Sequence, residues 1–269
     1  MKIAALQTVS GPDVPANLAA AHDLLRQAAA AGAELAVLPE YFCLMGQRDT
    51  DKLAVREPFG EGAVQSFLAQ AARECGLWIV GGTLPLAAGD DRHVRNASLA
   101  FSPQGECVAR YDKIHLFRFD NGREQYDESR VIEAGGTPQA FTLPSRDGHA
   151  WRVGLTVCYD LRFPELYRAL QADLLLVPSA FTHTTGQAHW EVLLRARAIE
   201  NLAYVVAPAQ GGRHPTGRRT WGHSMVVDPW GAVLAERGDD GPGVVLADLE
   251  AARIAEVRGQ LPALDHRVL

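Results

Sequence analysis

Apolar residues recur along the chain in short blocks, and their spacing alternates between the periods of strands and helices. Residues 2–9 alternate small and apolar side chains, which predicts a strand. Residues 13–31 are rich in Ala and Leu and predict a capped helix closed by Gly32. The apolar run at 35–38 predicts a buried strand that ends at a Pro-Glu pair. Strand and helix patterns therefore alternate from the first residues onward.

The alternation continues through the rest of the chain. Helices are predicted at 62–74, at about 164–172, at 187–202 and after 248, and strands at 78–84, 98–101, 106–111, 153–157, 174–177, 204–209, 224–227, 233–235 and 244–248. The turns Ser-Pro-Gln-Gly and Asp-Pro-Trp-Gly connect two pairs of strands as hairpins. Between 113 and 136 the periodicity gives way to charged and aromatic residues, which predicts a long loop of the kind that carries function.

No linker or change of composition interrupts this pattern. The sequence therefore predicts one α/β domain over residues 1–260, followed by a charged tail at 261–269 that packs on a partner subunit or frays. Of the 269 residues, 47% are hydrophobic and 22% charged, which suffices for a large core and argues against disorder.

The net charge and the cysteines of the chain argue against several classes of function. A formal net charge of −6 argues against non-specific binding to nucleic acid. The four cysteines lack Cys-x-x-Cys spacing, which argues against a zinc knuckle or a disulfide framework and favours a reducing compartment. No signal-like segment opens the sequence, and no apolar run approaches the roughly 18 residues of a membrane span. We expect a cytoplasmic protein that does not bind a membrane.

Cys158 stands at the junction between a predicted strand and a predicted helix. Residues 153–157 alternate as a strand does, and Pro164 and Glu165 suit the first turn of a helix. A sulfur at such a junction lies at the edge of the sheet, near backbone N–H groups that stabilise negative charge. This position favours a nucleophile, and the alternative is a small buried apolar residue.

A nucleophilic cysteine needs a base or a nearby cation, and donors for an oxyanion. Glu40 follows an apolar strand where a carboxylate is poorly solvated, which makes it a candidate general base and acid, or alternatively a surface glutamate. Lys113, in Y-D-K-I-H-L-F, is one of three lysines among 26 basic residues. Its compact ammonium suits an oxyanion, and the alternative is a strand-end lysine that reaches into water. Both residues and Cys158 follow strands, where ligand crevices of α/β sheets form, so the three can converge.

Several segments resemble the nitrilase superfamily of carbon–nitrogen hydrolases. They are L-P-E, Y-D-K-I-H-L-F, C-Y-D-L-R-F-P-E-L-Y-R, S-A-F-T-H-T-T-G-Q-A-H-W-E-V-L-L-R-A-R-A-I-E-N and G-H-S-M-V-V-D-P-W-G. The resemblance covers residues 3–249. It implies a four-layer αββα sandwich, a homodimer or larger assembly, and a Glu–Lys–Cys triad that falls on Glu40, Lys113 and Cys158.

The resemblance also implies a second glutamate near the active site. It falls in Q-Y-D-E-S-R at Glu128, with Asp127 and Glu124 as alternatives. The implied reaction is a two-step acyl transfer through a cysteine thioester, in which the backbone N–H of Tyr159 and the side chain of Lys113 hold the oxyanion. This chemistry requires no metal and no organic cofactor. One alternative is a binding protein that kept the fold and lost the activity, and such a protein would lack part of the triad. Another alternative is a metal-dependent hydrolase, which a chelator would inactivate.

Within the superfamily, the chain most resembles the Nit branch, which contains deaminated glutathione amidase and ω-amidase. This resemblance lies in the segment at 178–201, in A-Q-G-G-R-H and in G-H-S-M-V-V-D-P-W-G. A-Q-G-G-R-H favours the former. The segment K-I-H-L-F-R-F-D-N-G-R-E-Q-Y-D-E departs from the branch, so 2-oxoglutaramate, an N-carbamoyl compound and a nitrile stay open as substrates. 

Deaminated glutathione and 2-oxoglutaramate are anions, which calls for a carboxylate-binding side chain. We expect Arg162 in that role, with Phe181 and Thr185 shaping the pocket. The alternative for Arg162 is an internal salt bridge with Asp160 or Glu165.

Overall fold

The computed structural model describes residues 1–238 and 241–268. Its helices are α1 (Val14–Ala30), α2 (Asp51–Ala54), α3 (Ala63–Cys75), α4 (Pro164–Leu170), α5 (His183–Asn201) and α6 (Ala251–Gln260). Its strands are β1 (Lys2–Gln7), β2 (Leu35–Val37), β3 (Trp78–Val80), β4 (Leu84–Ala87), β5 (Val94–Phe101), β6 (Cys107–Asp112), β7 (Arg118–Asp120), β8 (Gln125–Asp127), β9 (Gln139–Pro144), β10 (Ala150–Leu155), β11 (Leu174–Leu176), β12 (Tyr204–Ala207), β13 (Gly211–Arg213), β14 (Arg219–Trp221), β15 (Met225–Val227), β16 (Val233–Glu236) and β17 (Gly243–Asp248).

Two mixed sheets form the centre of the molecule. The first has the strand order β17-β1-β2-β3-β5-β4, with β6 paired to β5, and the second has the order β16-β15-β12-β11-β10-β9. Strands β1, β2 and β3 are parallel to one another, and so are β10, β11 and β12. Parallel strands need long crossover connections, which α1, α3, α4 and α5 provide.

Alternation along the strands separates the layers. In β1, Ala4 and Leu6 belong to the apolar cluster formed with α1 and α3, whereas Ile3 and Ala5 belong to the cluster formed with the second sheet. Helices α4 and α5 add Tyr167 and other apolar side chains to the cluster around the second sheet. The predicted four-layer αββα sandwich in a single domain is therefore confirmed. Within the described residues, no helix is both long and apolar enough to cross a membrane.

The predicted strand at 78–84 is wrong, because it is divided into β3 and β4. Gly82 has a φ of +50°, and a Cβ atom there would lie 2.0 Å from the carbonyl oxygen of Pro39. The chain turns sharply at this glycine and passes against the segment that leads to Glu40. The hydroxyl of Thr83 then accepts a hydrogen bond from the backbone N–H of Tyr41 at 2.9 Å.

The prediction of a loop at 113–136 is also wrong, because the segment contains the hairpin β7–β8 and a 3-10 turn at Glu128–Arg130. The hairpin turns at Asn121 and Gly122, and Gly122 has a φ of +78°. Asn-Gly is a strong hairpin signal that the charged surroundings concealed. The ring of Tyr126 packs 5.7 Å from that of Phe117, which holds the hairpin to the site described below.

Other differences concern the ends of elements. Helix α5 begins four residues before the predicted start, because the hydroxyl of Thr182 caps it by accepting from the N–H of Thr185 at 3.3 Å. The chain after Val157 forms a 3-10 turn at Cys158–Arg162 before α4 begins. Helix α2 and strands β9, β13 and β14 were not among the predicted elements. The predicted tail at 261–269 follows α6, and its last residue lies outside the described residues.

Candidate active site

Glu40, Lys113 and Cys158 approach one another from both sheets. Glu40 lies three residues beyond β2 and Lys113 directly follows β6, both in the first sheet. Cys158 lies beyond β10 in the second sheet. The sandwich therefore brings the three predicted triad residues together across the space between its two sheets.

Lys113 lies between two carboxylates. Its Nζ donates to Oε1 of Glu40 at 2.8 Å and to Oε2 of Glu128 at 2.8 Å. The side chain of Lys113 is completely excluded from solvent, and that of Glu40 is 1% exposed. Burial alone would lower the pKa of Lys113, but the carboxylates of Glu128 and Glu40 outweigh it and hold that pKa above its ordinary value. The ammonium group therefore stays charged.

Glu128 is the acidic residue of its segment that reaches the site. Its carboxylate accepts from the hydroxyl of Tyr41 at 2.7 Å and from the backbone N–H of Phe117 at 2.7 Å. Burial raises its pKa, but Lys113 and these hydrogen bonds overcome that effect and lower it. The two alternatives lie elsewhere, since Asp127 accepts from Ser129 and Glu124 accepts from Thr184.

The carboxylate of Glu40 is held by partners on several sides. Besides Lys113, the side-chain amide of Asn96 donates to Oε1 at 2.9 Å, and the backbone N–H of Ala180 donates to Oε2 at 3.0 Å. The backbone carbonyl of Glu40 accepts from the side chain of Gln210 at 3.1 Å. These contacts fix the carboxylate in one orientation, and Glu40 lines the same cleft as Cys158.

Cys158 has a strained backbone and a buried thiol. Its φ of +49° lies in the left-handed region that non-glycine residues rarely adopt, and its N–H donates to the carbonyl of Pro178 at 3.0 Å. Burial and the negative charge of Glu40 raise the pKa of the thiol well above its usual value, and Lys113 offsets this only in part. The thiol is therefore protonated at neutral pH and needs a base before it can attack a carbonyl.

Asp160 holds the segment that carries Cys158. This fully buried carboxylate accepts from the N–H of Val157 at 2.8 Å and from the hydroxyl of Tyr111 at 2.7 Å. It also accepts from the backbone N–H of His115 at 3.0 Å, and the ring Nδ1 of His115 lies 2.7 Å away. The carboxylate of Asp160 thus connects the strained turn that carries Cys158 to the end of β6, directly before Lys113.

The triad lies beside a cleft. The cleft is lined by Glu40, Tyr41, Phe117, Glu128, Cys158, Tyr159, Arg162, Ala180, Phe181, Thr182, Thr185 and Arg218. The structure thus places all four predicted substrate-binding residues in the wall next to the thiol.

Arg162 points its guanidinium along this wall. The group donates to Nδ1 of His189 at 3.3 Å, and its central carbon lies 5.7 Å from the ring centres of Tyr159 and Phe181. Within the described residues Arg162 forms no ion pair, so the alternative of a salt bridge with Asp160 or Glu165 is wrong. The described residues also offer no group of three or more His, Cys, Asp or Glu side chains placed to bind a metal ion.

Sequence reasoning missed four residues that shape the site. Tyr41 and Asn96 hold the two glutamates, Asp160 holds the turn, and Arg218 lines the cleft. The position of Asp160, two residues after the cysteine, was the available signal. Asn96 lies inside an ordinary strand and Arg218 in a turn between short strands, and neither position carries a local signature.

A family model described as carbon–nitrogen hydrolase matches residues 2–259. The chain belongs to the carbon–nitrogen hydrolase family. The predicted superfamily is thereby confirmed, and with it an enzyme that hydrolyses C–N bonds. This carbon–nitrogen hydrolase is 41% identical over 271 residues to a deaminated glutathione amidase of Synechocystis, with 98% of this chain and 97% of that protein covered. It is 35% identical to an omega-amidase of Xenopus tropicalis, with 97% and 92% covered.

Solved structures give the same assignment. The NitFhit protein of C. elegans matches with a TM-score of 0.89 and 36% identity, over 99% of this chain, which spans 65% of that protein. A variant of the amidase from Nesterenkonia sp. AN1 matches with a TM-score of 0.80 and 28% identity, over 100% of this chain and 94% of that one. In that structure the acetamide moiety of fluoroacetamide is covalently added to the active-site cysteine.

Proposed function

We propose that the chain hydrolyses the amide bond of a small carboxylate-bearing substrate, with deaminated glutathione as the favoured compound, through a thioester on Cys158. The observation that carries the proposal is that the buried thiol of Cys158 and the carboxylate of Glu40 line the same cleft, whose wall also contains Arg162. The similarity to a deaminated glutathione amidase over nearly the whole of both chains supports this substrate.

The first half of the reaction forms the thioester. As the sulfur of Cys158 bonds to the amide carbon, Glu40 accepts the thiol proton. The carbonyl oxygen becomes an oxyanion that the ammonium of Lys113 and the backbone N–H of Tyr159 stabilise. When the C–N bond breaks, Glu40 returns the proton to the departing nitrogen, so the amine leaves neutral and the acyl group stays on sulfur.

The second half releases the acid. Glu40 accepts a proton from a water molecule as its oxygen attacks the thioester carbon, and the same two donors hold the second oxyanion. The C–S bond then breaks, and Glu40 gives the proton back to the sulfur of Cys158. In each half of the reaction, Glu40 thus accepts one proton and later returns it. Its position in the same cleft as the thiol suits this role.

Four further residues have supporting roles. Glu128 keeps Lys113 charged and fixes the direction of its ammonium group, since the two form a bidentate contact at 2.8 and 3.0 Å. Arg162 binds a carboxylate on the acyl part of the substrate, because a guanidinium matches a carboxylate with paired hydrogen bonds. Phe181 and Thr185 bound the space between that carboxylate and the sulfur.

A substrate panel tests this function. The values of kcat/KM for deaminated glutathione, 2-oxoglutaramate and an uncharged amide of similar size should fall in that order for the wild-type enzyme. The Cys158→Ala variant should hydrolyse none of them. Preference for 2-oxoglutaramate would assign the enzyme to the omega-amidases, and preference for the uncharged amide would refute the role of Arg162.

We further propose that the enzyme works in the cytoplasm as a homodimer or larger assembly. All four cysteines are free thiols, which suits a reducing compartment. Large apolar side chains are exposed at Val192, Trp230 and Leu234, and such residues commonly contact a second subunit. Light scattering of the purified protein measures the assembly, and a monomeric mass would refute it.

A further inference from the structure

A second cavity adjoins the cleft beside Cys158. The two share part of their walls, since Tyr41, Phe117, Glu128 and Arg218 line both. We call the first cavity the Cys158 lobe and the second the Lys52 lobe, after a lysine that lines only the second. A substrate bonded to the sulfur and longer than the Cys158 lobe would therefore meet Arg218 in the wall that the two lobes share.

Arg218 is the cation of the Lys52 lobe whose charge is not matched. Three carboxylates line this lobe, and each has a cation of its own: Glu128 is paired with Lys113 at 2.8 Å, Asp49 lies 3.7 Å from Lys52, and Asp127 lies 3.7 Å from Arg130. The guanidinium carbon of Arg218 lies 5.2 Å from the ring centre of Tyr126, and no carboxylate of the described residues lies within ion-pair distance of it. Its Nε–H is shielded from water and has no acceptor there. A buried donor without an acceptor costs free energy that an incoming acceptor recovers.

The hairpin β13–β14 fixes Arg218 relative to the triad. The backbone carbonyl of Arg218 accepts from the N–H of His214 at 2.9 Å, and the ring of His214 donates through Nδ1 to the carbonyl of Ser10 at 2.9 Å. The N–H of Ser10 donates to the side chain of Gln210, which in turn donates to the carbonyl of Glu40. The segment A-Q-G-G-R-H, which suggested the substrate from the sequence, is thus the one that positions this arginine.

The charge of the reacting groups favours such a cation for an anionic substrate. Glu40 and Glu128 carry two negative charges against the one positive charge of Lys113. A substrate with a carboxylate at each end therefore meets a net negative centre between its ends. Arg162 can neutralise one end within the Cys158 lobe, and the other end needs a second cation.

We infer that Arg218 binds a carboxylate on the leaving-amine side of the substrate, so that the enzyme favours amides whose departing amine carries a carboxylate. This inference rests on the proposed function, in which the acyl part lies with Cys158 and Arg162. The dipeptide that leaves deaminated glutathione ends in such a carboxylate, whereas 2-oxoglutaramate releases only ammonia. Lys52 also lines this lobe, but its charge is offset by Asp49 at 3.7 Å, which leaves Arg218 as the cation for the carboxylate.

The test compares two substrates that differ only in this carboxylate. One is deaminated glutathione, and the other is its derivative in which the carboxylate of the leaving dipeptide is converted to a neutral carboxamide. For the wild-type enzyme, kcat/KM should be about 10–100 times higher for the acid, as expected for hydrogen bonds to a charged group. In Arg218→Gln the ratio should fall to within about threefold of one, mainly through a higher KM for the acid. Arg218→Lys keeps the charge and should retain part of the preference.

Two control variants make the result specific. Arg213→Gln changes an exposed arginine of the same hairpin that lines neither lobe, so it should keep the wild-type ratio. Arg162→Gln should reduce kcat/KM for both substrates by a similar factor, because their acyl parts are identical. A wild-type ratio near one, or a ratio that Arg218→Gln leaves intact, overturns the inference while the proposed function stands. Failure of the wild-type enzyme to hydrolyse either compound refutes the proposed function itself.

Discussion

The ammonium nitrogen of Lys113 lies 2.8 Å from Oε1 of Glu40, and both side chains are excluded from solvent. The same nitrogen lies equally close to Glu128. One cation between two carboxylates leaves a net negative charge beside Cys158, so the surroundings do not ionise the thiol. Attack on an amide therefore depends on transfer of the thiol proton to Glu40.

Replacement of Lys113 by Ala should damage both catalysis and stability. It removes an oxyanion donor worth about 3–4 kcal/mol in the transition state, so kcat should fall by about 10²–10³-fold. It also leaves two buried carboxylates without their cation, which should lower the free energy of unfolding by about 3–5 kcal/mol. Steady-state kinetics and urea denaturation measure the two effects, and a variant with kcat within tenfold of wild type would contradict the role of Lys113.

The pH dependence of stability should reveal the pair formed by Lys113 and Glu128. Because the pKa of Glu128 is lowered by folding, its contribution is complete above the ordinary glutamate pKa of about 4.3 and is lost as pH falls through the lower folded-state value. The pKa of Lys113 is raised, so its contribution is complete below about 10.4 and is lost as pH rises through the higher folded-state value.

The comparison that isolates this pair uses Glu128→Gln. The difference in unfolding free energy between wild type and this variant should stay constant from about pH 5 to 9 and shrink at more acidic pH. Urea denaturation at several pH values measures it. A difference that grew on acidification would have the wrong sign for an ionised Glu128.

Asp160→Asn should destabilise the turn that carries Cys158. The amide nitrogen cannot accept a hydrogen bond, so at least one of the buried donors from Val157, Tyr111 and His115 loses its partner. We expect a loss of about 2–4 kcal/mol in the free energy of unfolding and a lower kcat. Asp23→Asn, at an exposed position of α1, is the matched control and should change stability by less than about 0.5 kcal/mol. Equal effects of both substitutions would refute the role of Asp160.

Gly82→Ala tests the contact between the β3–β4 turn and the segment before Glu40. The new methyl group would meet the carbonyl oxygen of Pro39, in addition to the strain of a positive φ. Gly148 also has a positive φ, of +85°, but no atom lies within 4 Å of a Cβ placed there. Gly148→Ala should therefore lower the free energy of unfolding only by the strain of that φ, about 1–2 kcal/mol. Gly82→Ala should cost more and should also lower kcat, because Glu40 is displaced. Thermal unfolding and kinetics of the two variants decide this.

The sequence predicted the parts of the fold that depend on local periodicity. Short runs of apolar residues, such as that of β2, can be recognised as strands from the sequence alone. The positions of Glu40 and Cys158 just past strands could therefore be predicted. The way they meet could not be derived from spacing, because the two strands lie in different sheets. The four-layer arrangement came only from the resemblance to a family.

The remaining parts of the site depend on contacts that leave no local pattern. The strands β7 and β8 are largely exposed and polar, and the ring of Phe117 against Tyr126 helps to hold their hairpin in place. Arg218 reaches the cleft because a hairpin far along the chain is tied to Ser10 and Glu40 through His214 and Gln210. Such long-range polar contacts become visible only in three dimensions.

The most direct test of the account is mass spectrometry of Cys158 during turnover. Wild-type enzyme is mixed with deaminated glutathione, quenched in acid within milliseconds and digested. The peptide containing Cys158 should gain the mass of the acyl group. Full turnover by Cys158→Ala, or an acyl adduct on any residue other than Cys158, would contradict it.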